Sequence, residues 1–103
     1  MEKDVSVVDF ITIIKADRQF SAIEIVDYWE ADLCAIGLKK NNRLVYISTF
    51  NYVNESFVKY DFDFEILNER NSGEMRNVKK GRGITEIELI KEIKGFLIAN
   101  ESI

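Results

Sequence analysis

The most regular hydrophobic pattern in the chain is Phe57–Leu67, FVKYDFDFEIL. From Tyr60 it alternates without a fault, with Tyr60, Phe62, Phe64 and Ile66 on one side and Asp61, Asp63 and Glu65 on the other. Strand side chains point to opposite faces with a period of two, so the stretch predicts a strand with an aromatic face and an acidic one. The aromatic face needs a core. The acidic face places its carboxylates roughly 6.5–7 Å apart along an edge of solvent. Like charges that close repel, so such a row calls for a partner or for neighbouring cations.

Upstream, residues 5–16 (VSVVDFITIIKA) place Val7, Phe10, Ile11 and Ile14 at helical spacing, with Ser6 as the expected cap. Residues 20–30 (FSAIEIVDYWE) carry two signals. Ser21 with Glu24 forms a capping-box pattern, whereas IEIVDYW is rich in strand formers, and strand is the reading taken. ADLCAIGLKK and RLVYISTF then form two apolar runs joined by Lys39-Lys40-Asn41-Asn42. Adjacent asparagines tolerate positive φ, so Asn41-Asn42 predicts a hairpin turn. Both runs are apolar on both faces, through Leu33, Ile36, Leu38, Leu44, Val45, Ile47 and Phe50, as expected of central strands covered on two sides.

After the key strand, residues 68–83 are polar, with Gly73, Gly81 and Gly83 marking turns and Met75 and Val78 able to hold a short edge strand. Ile84–Asn100 then opens with Thr85 and Glu88, a capping box, and places Ile87, Ile90, Ile93 or Lys94, and Leu97 at helical spacing, with Leu89 and Phe96 on the same side. Glu88, Lys91 and Glu92 fall on the outer side, and Gly95 is expected to let the helix pack closely on the sheet. The fold expected is α+β: an antiparallel sheet of about four to five strands with an N-terminal and a C-terminal helix packed on it, in a single domain over 1–103.

Charge narrows the partners. The formal net charge is −4, which disfavours direct contact with nucleic acid or an anionic membrane and favours a basic partner. No apolar run approaches the ~20 residues that span a bilayer, and the N-terminus does not read as a signal peptide. The lone Cys34 excludes an internal disulfide and, in an apolar run, reads as a buried inert thiol. The expected location is the cytoplasm.

Catalytic chemistry finds little to stand on. The chain has no histidine, which removes the commonest general base and the Ser-His and Cys-His pairs. No cofactor, metal or enzymatic activity is expected. Lys79-Lys80-Gly81-Arg82-Gly83 reads as a polar turn, with an anion site before the helix as the alternative, and its spacing fails as a P-loop. Two groups remain as partner-binding candidates. The first is Asp61, Asp63 and Glu65, which could also hold a divalent metal. The second is the acidic-aromatic group Asp27, Trp29, Glu30 and Asp32 beside Tyr28.

The run ADLCAIGLKKNNRLVYISTF, followed by YDFDFEIL and the capped helix ITEIELIKEIKGFLI, resembles the small immunity proteins of bacterial contact-dependent growth inhibition (CdiI-type) and related polymorphic-toxin systems. The resemblance is one of size, charge and layout from about Trp29 onward. It implies a protein that binds the C-terminal toxin domain of a cognate effector, a nuclease in many such systems, and occludes its basic cleft. The alternative is a regulatory or structural interaction module, including a homodimer through the apolar sheet.

Overall fold

A computed structural model describes residues 3–67 and 75–98, with the backbone alone at Met75. Gly73, predicted to mark a turn, and the predicted helix end at Asn100 lie outside the described residues. In order come helix α1 (Val5–Ala16), strands β1 (Glu24–Val26), β2 (Ala35–Lys40), β3 (Arg43–Ser48), β4 (Tyr60–Leu67) and β5 (Met75–Ile84), and helix α2 (Glu86–Leu97). Short 3₁₀ turns occupy Arg18–Phe20 and Phe50–Tyr52. The five strands lie in sequence order and every neighbouring pair is antiparallel. The α+β architecture is as the sequence predicts.

Register sorts the two faces. Ile36, Ile47 and Phe62 sit side by side across β2, β3 and β4, as do Leu38, Val45 and Phe64. This face meets Val7, Phe10, Ile11 and Ile14 of α1 and Leu89, Ile93, Phe96 and Leu97 of α2 in one core. The Phe10 and Tyr60 rings lie 5.2 Å apart, and Phe64 stacks on Phe96 at 4.4 Å with 5° between the planes. Burying each large side chain here contributes about 1.5–3 kcal/mol. Because both helices use this face, the opposite face is left open to other elements.

Local signals explain most boundaries. Thr85 and Glu88 form the capping box of α2 as predicted. Asn41 takes φ 55° in the β2–β3 turn, which a short polar side chain tolerates. The cap of α1, however, is Asp4 rather than Ser6. Its carboxylate accepts from the Ser6 N–H, and Ser6 lies inside the first turn. Strand β1 holds only three residues of the predicted 20–30 stretch; Phe20 belongs to a 3₁₀ turn.

Several apolar positions depart from expectation. Leu33 and Phe50 fall outside β2 and β3 and are exposed, so the second face of these strands is less apolar than their runs suggest. Cys34 is only half-buried, just ahead of β2. Ile87 is 80 % exposed, because the core side of α2 is centred on Leu89, Ile93 and Phe96. Gly95 points away from the sheet; a Cβ there would meet nothing within 4 Å. Glu92, predicted as a free outer charge, pairs with Lys79.

The largest correction concerns the 68–83 stretch. In place of turns and a short strand, β5 runs for ten residues along the edge of the sheet, and Gly81 and Gly83 lie within it. Lys79, Lys80 and Arg82 are therefore strand residues and not a loop before a helix. Gly81 is needed because the Phe62 ring occupies the space a side chain would take, 2.6 Å from Phe62 Cζ to an added Cβ. Pairing shifts between Tyr60 and Phe62, where Asp61 faces both Arg82 and Gly83, a bulge that Gly83 accommodates at φ 63°.

Candidate functional site

The helix-free face of the sheet gathers most of the predicted site residues. Asp61, Asp63 and Glu65 project from it along β4, beside Ser48, Tyr46 and Leu44 of β3. The 27–34 segment between β1 and β2 crosses the same face. It brings Trp29 to Tyr46, ring centroids 4.6 Å apart in an edge-on arrangement, and over Gly37, where an added Cβ would come within 3.0 Å of the indole. Tyr28 packs against Trp29 and remains exposed.

The three β4 carboxylates are not an equivalent solvent-facing row. Asp61 is buried. Its Oδ1 accepts from the Tyr52 hydroxyl at 2.6 Å and the Gly83 N–H at 3.0 Å, and its Oδ2 accepts from Asn51 Nδ2 at 3.0 Å. Burial alone would push this carboxyl up. The three hydrogen bonds, first that from Tyr52, outweigh burial and hold it below its ordinary value of 3.8. Tyr52 is pushed up in turn, first by its bond to that anion.

Asp63 stands opposite Lys80 and accepts from Arg82 at 3.1 Å. The same Arg82 nitrogen also donates to the Phe62 and Gly81 carbonyls. Neighbouring cations from β5 therefore relieve the repulsion that the alternation implied. Glu65 differs. Its Oε2 is buried and has no hydrogen-bond partner among the described residues. Burial first, then the charge of Asp63, raises its carboxyl above the ordinary 4.5, with Lys80 partly opposing.

The second predicted group is largely engaged within the fold. The buried Lys3 ammonium pairs with Asp27 at 2.8 Å and donates to the Trp29 and Asp32 carbonyls. Asp32 Oδ1 accepts from the Cys34 N–H, while Glu30 is exposed. Asp27 and Trp29 thus build the segment, and of this group Asp32 and Glu30 are the acids nearest to serving a partner. Asp32 joins Tyr46, Ser48, Asn51, Asp61 and Arg82 around an open cleft of about 330 Å³ beside the exposed Phe50.

Sequence reasoning missed Tyr46, Asn51, Tyr52 and Lys3, and read Arg82 as part of a polar turn or anion site. The alternation of RLVYIS did place Tyr46 opposite Val45 and Ile47, so it could have been found. Asn51 and Tyr52 reach Asp61 across the β3–β4 turn, and Lys3 and Arg82 across longer separations, by contacts that no local pattern announces. Chemically the cleft is suited to binding. Its most buried carboxylate is already saturated with donors, and among the described residues no group of three or more His, Cys, Asp or Glu converges as a metal site. No described helix is long and apolar enough to cross a membrane. No protein family, curated protein or solved structure matches this chain.

Proposed function

We propose that this chain is an immunity-type inhibitor, which binds the toxin domain of a cognate effector through the open sheet face and occludes a basic active-site cleft, that of a nuclease. The observation that carries the reading is the helix-free sheet face, where Asp32, Asp61 and Arg82 border an open cleft beside the exposed Phe50. Polar groups around an exposed aromatic anchor are the make-up of a protein-binding surface. Asp32 and Glu30 add negative charge on the 27–34 segment, and Phe50 and Leu33 offer exposed apolar contact. The choice of a toxin domain as partner rests on the resemblance in size, charge and layout.

A homodimer through this face is the weaker reading, because two copies would bring Asp63 and Glu65 against their own counterparts. The test is binding to the product of the adjacent gene, expressed as its isolated C-terminal domain. Association should be fast at low salt and slow as salt rises. Glu30→Lys and Phe50→Ala should each weaken binding by about tenfold or more while the fold survives, since both side chains are exposed. Reversing Asp61 is not a clean probe, since its carboxylate holds the fold together. Unchanged affinity in both variants would remove this face as the interface.

A further inference from the structure

A second surface lies at the end of the molecule where the N-termini of both helices meet the chain entering β4. Ser6 and Asp9 of α1, Phe57 and Val58 of the entering segment, and Glu86 and Ile87 of α2 enclose a groove of about 460 Å³ with Tyr60 at its floor. Phe57 is 81 % exposed and Ile87 80 %, and Val58 is also exposed. Single exposed apolar side chains are ordinary, but several gathered about one groove mark a contact surface.

The polar groups decide what the surface would accept. Asp9 and Glu86 are the only charged residues lining the groove, and neither has an ion-pair partner among the described residues. Both lie close enough to Tyr60 for their charges to add to burial in holding its hydroxyl up to about 12. The hydroxyl at the floor therefore stays protonated at ordinary pH. The groove is therefore apolar in its walls and anionic at its rim.

We propose that this groove docks an extended segment of another protein in which an aliphatic or aromatic side chain is flanked by Lys or Arg. The apolar side chain lies against Phe57, Val58 and Ile87, and the flanking cations meet Asp9 and Glu86. A second copy of this chain fits poorly, because a symmetric contact sets the two carboxylates of one copy against those of the other. The groove shares no lining residue with the cleft on the open sheet face and does not depend on the inhibitor reading.

The test uses three synthetic peptides, acetyl-Lys-Leu-Phe-Lys-amide, its Ser-flanked form and its Glu-flanked form, titrated into the nitrogen-15-labelled protein at low salt. The Lys-flanked peptide should shift the amides of 5–9, 57–60 and 85–87 saturably, and bind about tenfold or more tightly than the Glu-flanked one. Ile87→Ser and the double variant Asp9→Lys with Glu86→Lys should each weaken that binding by about tenfold. All three positions are at least partly exposed, so the variants are expected to fold, and their spectra report it. Absence of saturable shifts, equal binding of the Lys- and Glu-flanked peptides, or shifts confined to the 61–65 face would overturn the proposal. So would a dimer in sedimentation that Ile87→Ser dissolves.

Discussion

Tyr52 donates its hydroxyl to Asp61 at 2.6 Å, joining the 3₁₀ turn after β3 to a buried position on β4. The Gly83 N–H and Asn51 complete the set, so one carboxylate ties together β4, β5 and the segment between β3 and β4. An acid that looks like surface charge in the alternating pattern is a structural fastener.

Asp61→Ala should therefore destabilise the fold by about 3 kcal/mol, because it leaves a hydroxyl, an amide and a backbone N–H without their acceptor. Asp63→Ala should cost no more than about 1 kcal/mol, since its partner Arg82 is largely exposed. Urea denaturation of the two variants checks the contrast. Equal losses would mean that Asp61 is not distinguished by its partners.

Acid should reveal the same carboxylate. The folded pKa of Asp61 lies below 3.8, so its stabilisation is complete above that value and is lost as pH falls through the folded pKa. Asp4, Asp17 and Glu88 are lowered in the same sense by the hydrogen bonds they accept, so the wild-type loss is shared among the four. Asp61→Asn should flatten part of the acid limb in denaturation curves collected from pH 6 down to pH 2.

Alkali should act through Tyr60. Burial first, then the nearby Glu86 and Asp9, raise its hydroxyl to about 12 from 10.0. The folded state then holds a proton that the unfolded chain releases, so stability is full below pH 10 and falls as pH rises towards 12. Tyr60→Phe should make that fall shallower, as read by denaturation at a series of alkaline pH values.

The core should respond to truncation where the rings stack. Phe64 is buried on Phe96, and Phe64→Ala should cost about 3–5 kcal/mol, a large share of the stability of a small domain. Phe57→Ala removes an equal volume from an exposed site and should be within about 0.5 kcal/mol of neutral. Thermal unfolding separates them.

Two glycines should move in opposite directions. Gly81→Ala drives a Cβ into the Phe62 ring, which is held in the core, and should destabilise by about 1–3 kcal/mol. Gly95→Ala adds a methyl group in open space on a helix and should stabilise by about 0.5–1 kcal/mol. The pair can be compared in a single chemical-denaturation series.

What can be read without tertiary structure is what depends on near neighbours. The capping box at Thr85 and Glu88, the turn at Asn41-Asn42 and the alternation of β4 are set by contacts within a few residues, and each stands where the sequence places it. Lateral contacts decided the rest. Whether Asp61 faces water depends on Asn51 and Tyr52, brought over it by the turn after β3, and on Gly83, which reaches it only after β5 has paired with β4. Met75 and Val78 hint at β5, but its full length is hidden in the sequence because its lysines, arginines and glycines are poor strand formers. The aromatic face of β4 and the acids beside it supply partners that override propensity, with Gly81 under Phe62 and Arg82 on Asp63. Ile87 likewise obeys helical spacing yet lies outside the contact, because a helix presents a broad apolar arc and only packing selects the part that is buried.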